Sequence, residues 1–299
     1  MSDGLEFTGE RFTPECVREI WYEHVHRYVF ARAFVDGLRV LDAACGEGYG
    51  SALLAERAAS VTGVDISEDA VTHARARYAA ANLAFEVADG TALPFDDDAF
   101  DCVVSFETLE HLHDQKGLLG EFRRVLKPGG FLLISTPDKA VYTDRQQNDN
   151  AFHVAELYRG EFEDLLGDYF PAVRLWGHKL MFHSAIWALT DPSADGAVLH
   201  QAQDGTIDAA ARPAHDPVYL LAFCAADEGA LPDATAALWL FDDAAESVYA
   251  HYYHEIRKNM AAGEVLAQRE REIRRLEREL EAARRPWWQR LTRRGGTER

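Results

Sequence analysis

The sequence predicts an α/β protein built on a doubly wound, mostly parallel seven-stranded sheet, with an N-terminal helical cap and a C-terminal coiled coil. Three observations carry that prediction. Short continuous apolar runs alternate with helical stretches, the pattern of a parallel sheet buried on both faces. The first such run enters a glycine cluster and then a helix, Val40-Leu41-Asp42-Ala43-Ala44-Cys45-Gly46-Glu47-Gly48-Tyr49-Gly50. Acids stand at or near the ends of the first three runs, at Asp42, Asp65 and Asp89, where ligands of such sheets lie.

The elements follow in order. Thr13-Pro14-Glu15 reads as a helix start, with a Thr cap, Pro in the first turn and then an acid, and the helix would run to about Phe34. Strands are expected at Arg39–Asp42, Ser60–Asp65, Leu83–Val87, Phe100–Ser105 and Phe131–Ser135. Ser67 is placed to cap the helix after the second strand. A helix near Gly117–Leu126 should stop at Lys127-Pro128-Gly129-Gly130. Beyond it, Glu156–Leu166 looks helical, and Ala172–Trp176 and Val218–Cys224 look like the last two strands. The stretch 191–217, rich in Asp, Ala, Gly and Pro, reads as a loop or insertion. Leu266, Ile273, Leu276, Leu280 and Ala283 form a short heptad seam, interrupted by Arg269. The expected divisions are a cap region 1–37, a main domain 38–260, a coil 264–285 and a basic tail 286–299.

Composition narrows the function. At 299 residues and 47% hydrophobic, the chain can bury a full core. No apolar run reaches the ~18 residues that span a bilayer. The acidic start lacks a leader's basic-then-apolar layout, so a cytoplasmic protein is expected. Four scattered cysteines, Cys16, Cys45, Cys102 and Cys224, suit reduced thiols. The net charge is −19, but residues 264–299 carry +4 and the body −23. Such an acidic body argues against nucleic acid as a partner.

The glycine loop carries the most chemistry. Glycines let the backbone turn sharply and let a ligand lie against it. Dinucleotide-binding loops are spaced G-x-G-x-x-G/A; here Gly46-x-Gly48-x-Gly50 is followed by Ser51, and Asp42 precedes the loop. An anion there opposes a pyrophosphate but favours a ligand with a cationic amino group and a sulfonium. In this, residues 39–170 resemble the class I S-adenosylmethionine-dependent methyltransferases, in particular the type 11 group, whose sheet is Rossmann-like. The resemblance implies that Gly46 and Gly48 cradle the methionine part of S-adenosylmethionine, and that Asp65 takes the ribose hydroxyls. It also implies that Ile66 packs on the adenine, and that Asp89-Gly90 hold its amino group. Phe106-Glu107-Thr108-Leu109-Glu110-His111 follows the fourth strand and would face the transferring methyl. Arg27, 19 residues before Gly46, would pair with the cofactor carboxylate, for which a guanidinium fork is suited.

His111 and His153 are the candidate catalytic bases, since histidine exchanges protons near neutral pH. Glu110, His111, His113 and His153 include metal-ligand types but lack a diagnostic spacing, so no metal is expected. His24 and His26 are candidates to line the acceptor pocket. The segments Gly9-Glu10-Arg11-Phe12, Glu23–Tyr28 and Asn150–Tyr158 resemble glycan-directed bacterial enzymes, above all the methyltransferase part of O-antigen chain-terminating methyltransferase–kinases. No length remains here for a kinase domain. That resemblance implies a sugar or glycan acceptor. The alternatives are a small natural product or quinone as acceptor, or a non-catalytic scaffold. In the tail, Trp287, Trp288 and Leu291 stand among five arginines between Arg284 and Arg294. That mixture suits peripheral contact with an anionic inner membrane face or a glycan-assembly protein. Weak homo-oligomerisation is expected through the coil.

Overall fold

The computed structural model describes residues 19–148, 150–181, 183, 198–203, 206–210 and 212–284. The expected helix start at Thr13, the segment 9–12, Cys16 and the tail 286–299 lie outside them. Two compact units divide at Phe241 and Asp242, earlier than the boundary near 260 expected from the seam.

In the first unit, seven strands form one sheet. In chain order the elements are α1 (Glu19–Arg32), β1 (Arg39–Ala43), α2 (Tyr49–Ala55), β2 (Ser60–Asp65), α3 (Glu68–Arg77), β3 (Leu83–Val87) and β4 (Phe100–Phe106). They continue with α4 (Gln115–Val125), β5 (Leu126–Pro137), α5 (Arg159–Gly167), β6 (Ala172–His178), β7 (Leu199–Gln203), β8 (Thr206–Ala210) and β9 (Tyr219–Ala225). The sheet order is β3-β2-β1-β4-β5-β9-β6. Strands β1 to β5 pair in parallel, and β9 runs antiparallel between β5 and β6. The order reverses between β1 and β4, which opens a crevice at their carboxyl ends.

Alternation along the central strands explains why both faces are covered. Val40, Cys102, Val104, Phe131 and Leu133 face one cluster, with Phe30, Ala31 and Leu54 of α1 and α2. Their neighbours Leu41, Val103, Leu132 and Ile134 face the other, with Leu118, Phe122, Phe162 and Leu166 of α4 and α5. The helix α4 is capped by Asp114, whose carboxylate accepts from Gly117 N at 2.9 Å. It buries Leu118, Leu119, Phe122 and Val125 on one face. Phe122 is fully buried, so Phe122→Ala is expected to cost about 3–5 kcal/mol. Thermal unfolding should show it as a midpoint lower by on the order of 10 °C; a loss of a degree or two would mean that the core collapses around the cavity.

Three elements differ from expectation. The Lys127-Pro128-Gly129-Gly130 stop does end α4, but the strand begins at once, and β5 spans Leu126–Pro137 with a register shift opposite Phe100 and Cys102. The stretch 191–217 contains an antiparallel hairpin, β7 with β8. Its sequence signal is Asp204-Gly205, a dipeptide suited to a tight hairpin turn. The helix expected from Glu156 starts at Arg159, where the Glu161 carboxylate accepts from Tyr158 N at 2.9 Å. Cys45, Cys102 and Cys224 are buried and unbridged, as reduced thiols would be.

The second unit holds one long helix among its described residues, α6 (Ser247–Arg284). It starts well before the seam, and Ala, Glu, Arg and Leu, strong helix formers, dominate its part from Leu266 on. Ile273, Leu276 and Leu280 of the seam are exposed on it, flanked by ion pairs such as Arg274–Glu270 at 3.5 Å. No described helix is long and apolar enough to cross a membrane.

Candidate active site

The crevice above β1 and β4 is built from the glycine loop upward. Asp42 is fully buried near the end of β1. Its carboxylate accepts from Tyr28 OH at 3.1 Å and from Ser51 Oγ at 2.5 Å. Burial pushes it up to about 6, against the two hydroxyl donors, with Asp65 adding to the rise. After β1 the chain passes through Ala44 (φ 61°), Gly46 (φ 56°) and Gly48 (φ 94°) into α2. The turn holds Cys45 N to Val64 O at 2.8 Å and Gly48 N to Cys45 O at 3.0 Å. A Cβ on Gly50 would stand 2.1 Å from the Tyr28 ring, so glycine there lets α1 lie against the loop.

Arg27 lies one residue before Tyr28 on α1 and is almost wholly buried. Its Nη1 is 3.4 Å from His178 Nδ1, and its guanidinium lies 4.8 Å from the Tyr219 ring centroid. Glu107 Oε2 is 3.9 Å from Nη2, beyond hydrogen-bond length, and buried Nη2 has no hydrogen-bond partner. A buried guanidinium with an unmet donor fits a ligand carboxylate.

The remaining strand ends line the same crevice. Asp65 accepts from Gly46 N and from Ser67 N, both at 2.9 Å. It thus ties the glycine loop to β2, and each oxygen keeps capacity for a ribose hydroxyl. Ile66 beside it is 73% exposed, an unusual state for isoleucine and one that suits a ring laid on it. Asp89 is exposed and accepts from Thr91 N and Oγ1, both at 2.8 Å, which holds its carboxyl below the usual range. Gly90 follows, where a Cβ would meet Leu118 Cδ1 at 2.7 Å. Phe106 is buried at the end of β4, edge-on to Tyr28 at 5.0 Å between centroids.

Beyond β4 and β5 the two candidate bases come together. The rings of His111 and His153 stand 4.9 Å apart. Glu110 is fully buried beside them, and burial with nearby Glu107 raises its carboxyl well above the ordinary range. His113 is exposed and outside this group. His26 lines a small cleft of about 90 Å³ with residues that include Tyr22, Glu23, His178, Met181, Leu238, Trp239 and Phe241. Burial, then the charge of Arg27, holds His26 down to about 4. His24 is not among the residues lining that cleft.

Tyr28, Ser51, Glu107, His178 and Tyr219 belong to this site, and the sequence reading gave none of them a role of its own. Glu107 sat inside a quoted motif; it adopts φ 51° directly after β4 and accepts from Ser135 Oγ at 2.6 Å. His178 and Tyr219 are paired across β6 and β9, a juxtaposition no local spacing reveals.

A parallel sheet with one reversed strand, a glycine loop after β1, and an acid at the end of β2 define a class I S-adenosylmethionine-dependent methyltransferase. A family model described as a methyltransferase domain matches residues 41–134. A Mycolicibacterium smegmatis protein described as a probable S-adenosylmethionine-dependent methyltransferase is 36% identical over 214 residues, 70% of this chain and 81% of the relative. A fatty-acid O-methyltransferase of the same organism is 42% identical over 108 residues, 35% of this chain and 39% of that one. A demethylmenaquinone methyltransferase of Clavibacter sepedonicus is 46% identical over 112 residues, 36% and 45% of the two chains. This chain belongs to the S-adenosylmethionine-dependent methyltransferases and is an enzyme that uses that cofactor.

Proposed function

We propose that the enzyme methylates an oxygen of a small apolar molecule or lipid. The carrying observation is the cleft beside Arg27, whose walls are aromatic and aliphatic at Tyr22, Leu180, Met181, Leu238, Trp239, Leu240 and Phe241, with Glu23, His26, His178, Lys179 and His183 as polar members. Apolar walls with a few placed polar groups are the usual form of a small-molecule site. A relative named a fatty-acid O-methyltransferase supports an oxygen acceptor, and one named for demethylmenaquinone supports an apolar one, while two others are named phosphoethanolamine N-methyltransferases. Cofactor roles follow from the crevice: Arg27 for the carboxylate, Asp42 with Gly46 and Gly48 for the cationic end, Asp65 for the ribose. Ile66, Asp89 and Gly90 attend the adenine, and Phe106 forms the floor. S-adenosylmethionine supplies a methyl on cationic sulfur, and its displacement neutralises charge. The protein therefore acts mostly by positioning and by excluding water, while His111 and His153 serve the loss of the acceptor's proton.

The glycan acceptor implied by the arm's resemblance is the second reading, favoured by Glu23, His26 and His178 as partners for hydroxyls. The tail 286–299 is proposed to hold the enzyme at an anionic membrane face, where a lipid acceptor would be met, and α6 to support weak self-association.

A radiolabelled-methyl assay over hydroxylated lipids, quinols, free sugars and sugar nucleotides tests the acceptor. Transfer to an apolar acceptor is expected. Phe241→Ala should raise its KM by roughly 10-fold or more with little change in kcat, since the ring contributes uniform binding. Transfer to sugars alone would overturn the apolar reading and establish the glycan one.

A further inference from the structure

Two histidines and a carboxylate stand together where no metal was expected. Glu110, His111 and His153 each offer a ligand atom, and those atoms lie within 4.8 Å of one another. Glu110 Oε2 accepts from Thr136 Oγ1 at 3.0 Å, while Oε1 is buried without a hydrogen-bond partner and lies 3.8 Å from His111 Nε2. A buried carboxylate oxygen left unmatched is costly, and such groups are ordinarily paired or bound to metal.

The imidazoles are set for ligation. His111 Nδ1 is 3.1 Å from the Phe152 carbonyl. A carbonyl only accepts, so Nδ1 carries the proton and the lone pair is on Nε2. His153 Nδ1 is 2.5 Å from Glu156 Oε1; a carboxylate accepts, so here too the lone pair is on Nε2. The same Glu156 is itself oriented by the Thr143 hydroxyl. A proton donated from the far nitrogen to a carbonyl or carboxylate is how metal-bound histidines are oriented.

We infer that Glu110, His111 and His153 bind one divalent first-row transition-metal ion at the acceptor end of the crevice. Three protein ligands leave a coordination position open, as in catalytic metal sites, and two imidazoles with a carboxylate suit zinc, manganese, iron or cobalt. The role in the reaction rests on the acceptor oxygen named above; the binding does not. An acceptor hydroxyl in the open position loses its proton to solvent more readily. Its oxygen then forms the bond to the methyl carbon with its own lone pair, and the carbon–sulfur pair stays on sulfur. No oxidation or reduction occurs, and two histidines far apart in sequence gain one shared task.

The test titrates chelator-treated full-length protein with Co²⁺ alone, followed by its visible absorption, with Zn²⁺ as competitor. One equivalent is expected to bind, with the band lost on adding Zn²⁺. His153→Ala should weaken binding by at least ~100-fold, and Glu110→Gln likewise. His113→Ala, outside the cluster, should leave it unchanged. The S-adenosylhomocysteine thermal shift of each variant reports that the fold and cofactor site persist. Absence of saturable binding would overturn the site, as would equal affinity in wild type and His153→Ala. Should Co²⁺ bind as expected and no apolar acceptor be methylated, the metal site stands and the acceptor reading falls.

Discussion

Arg27→Met is expected to weaken S-adenosylhomocysteine binding by about 2–5 kcal/mol, roughly 30-fold to several thousand-fold. The guanidinium is almost wholly buried, its Nη2 has no hydrogen-bond partner, and Glu107 stands 3.9 Å away. Such an arrangement spends desolvation on a charge that only a ligand carboxylate completes. The ligand-free protein should lose some stability, because Arg27→Met leaves Glu107 and Glu23 without the nearby cation, so each variant's thermal shift is read against its own ligand-free midpoint. The stabilisation given by S-adenosylhomocysteine should shrink sharply; for wild type it is about 2.7 kcal/mol at ~100 times the dissociation constant. Arg27→Lys keeps the charge and loses the fork, so it should fall between the two. A full thermal shift in Arg27→Met would mean that the cofactor carboxylate lies elsewhere.

What the sequence made legible was local. β1, β2 and β4 lie where the apolar runs place them, because the middle of a central strand is buried on both faces, while β3, at the sheet edge, buries only Phe85. Asp42 and Asp65 stand at strand ends for the same reason that made them noticeable: an acid closes an otherwise apolar run. The β7–β8 hairpin was hidden because Ala, Gln and Thr leave little alternation to read. The site's second wall was hidden by distance in sequence. Tyr28 meets Asp42 and Gly50, and His178 meets Arg27, only because α1 and β6 converge on the crevice. The pairing of His111 with His153 needed the Phe152 carbonyl and Glu156 to orient the rings, which no spacing rule encodes.

Asp42 should make cofactor binding depend on pH in a window set by its raised carboxyl. In the ligand-free protein burial lifts it to about 6, from an ordinary value near 3.8. The folded state thus holds this proton when the unfolded chain has already released it. The stability this confers is full below about pH 4 and is lost as pH rises through about 6. The rise in this one carboxyl corresponds to about 3 kcal/mol. Cofactor binding has the opposite slope. A neutral Asp42 offers nothing to a cationic amino group, whereas an ionised one is stabilised by it. Affinity for S-adenosylhomocysteine, whose amine stays protonated here, should therefore rise by up to ~10-fold per pH unit toward 6 and level off above. Calorimetric titration from pH 5 to 8 measures this directly. Asp42→Asn keeps the shape and removes the titrating group; it should bind weakly at pH 8 and show no slope across that window. A flat wild-type profile, or the same slope in the Asn variant, would place the cation's partner on another residue.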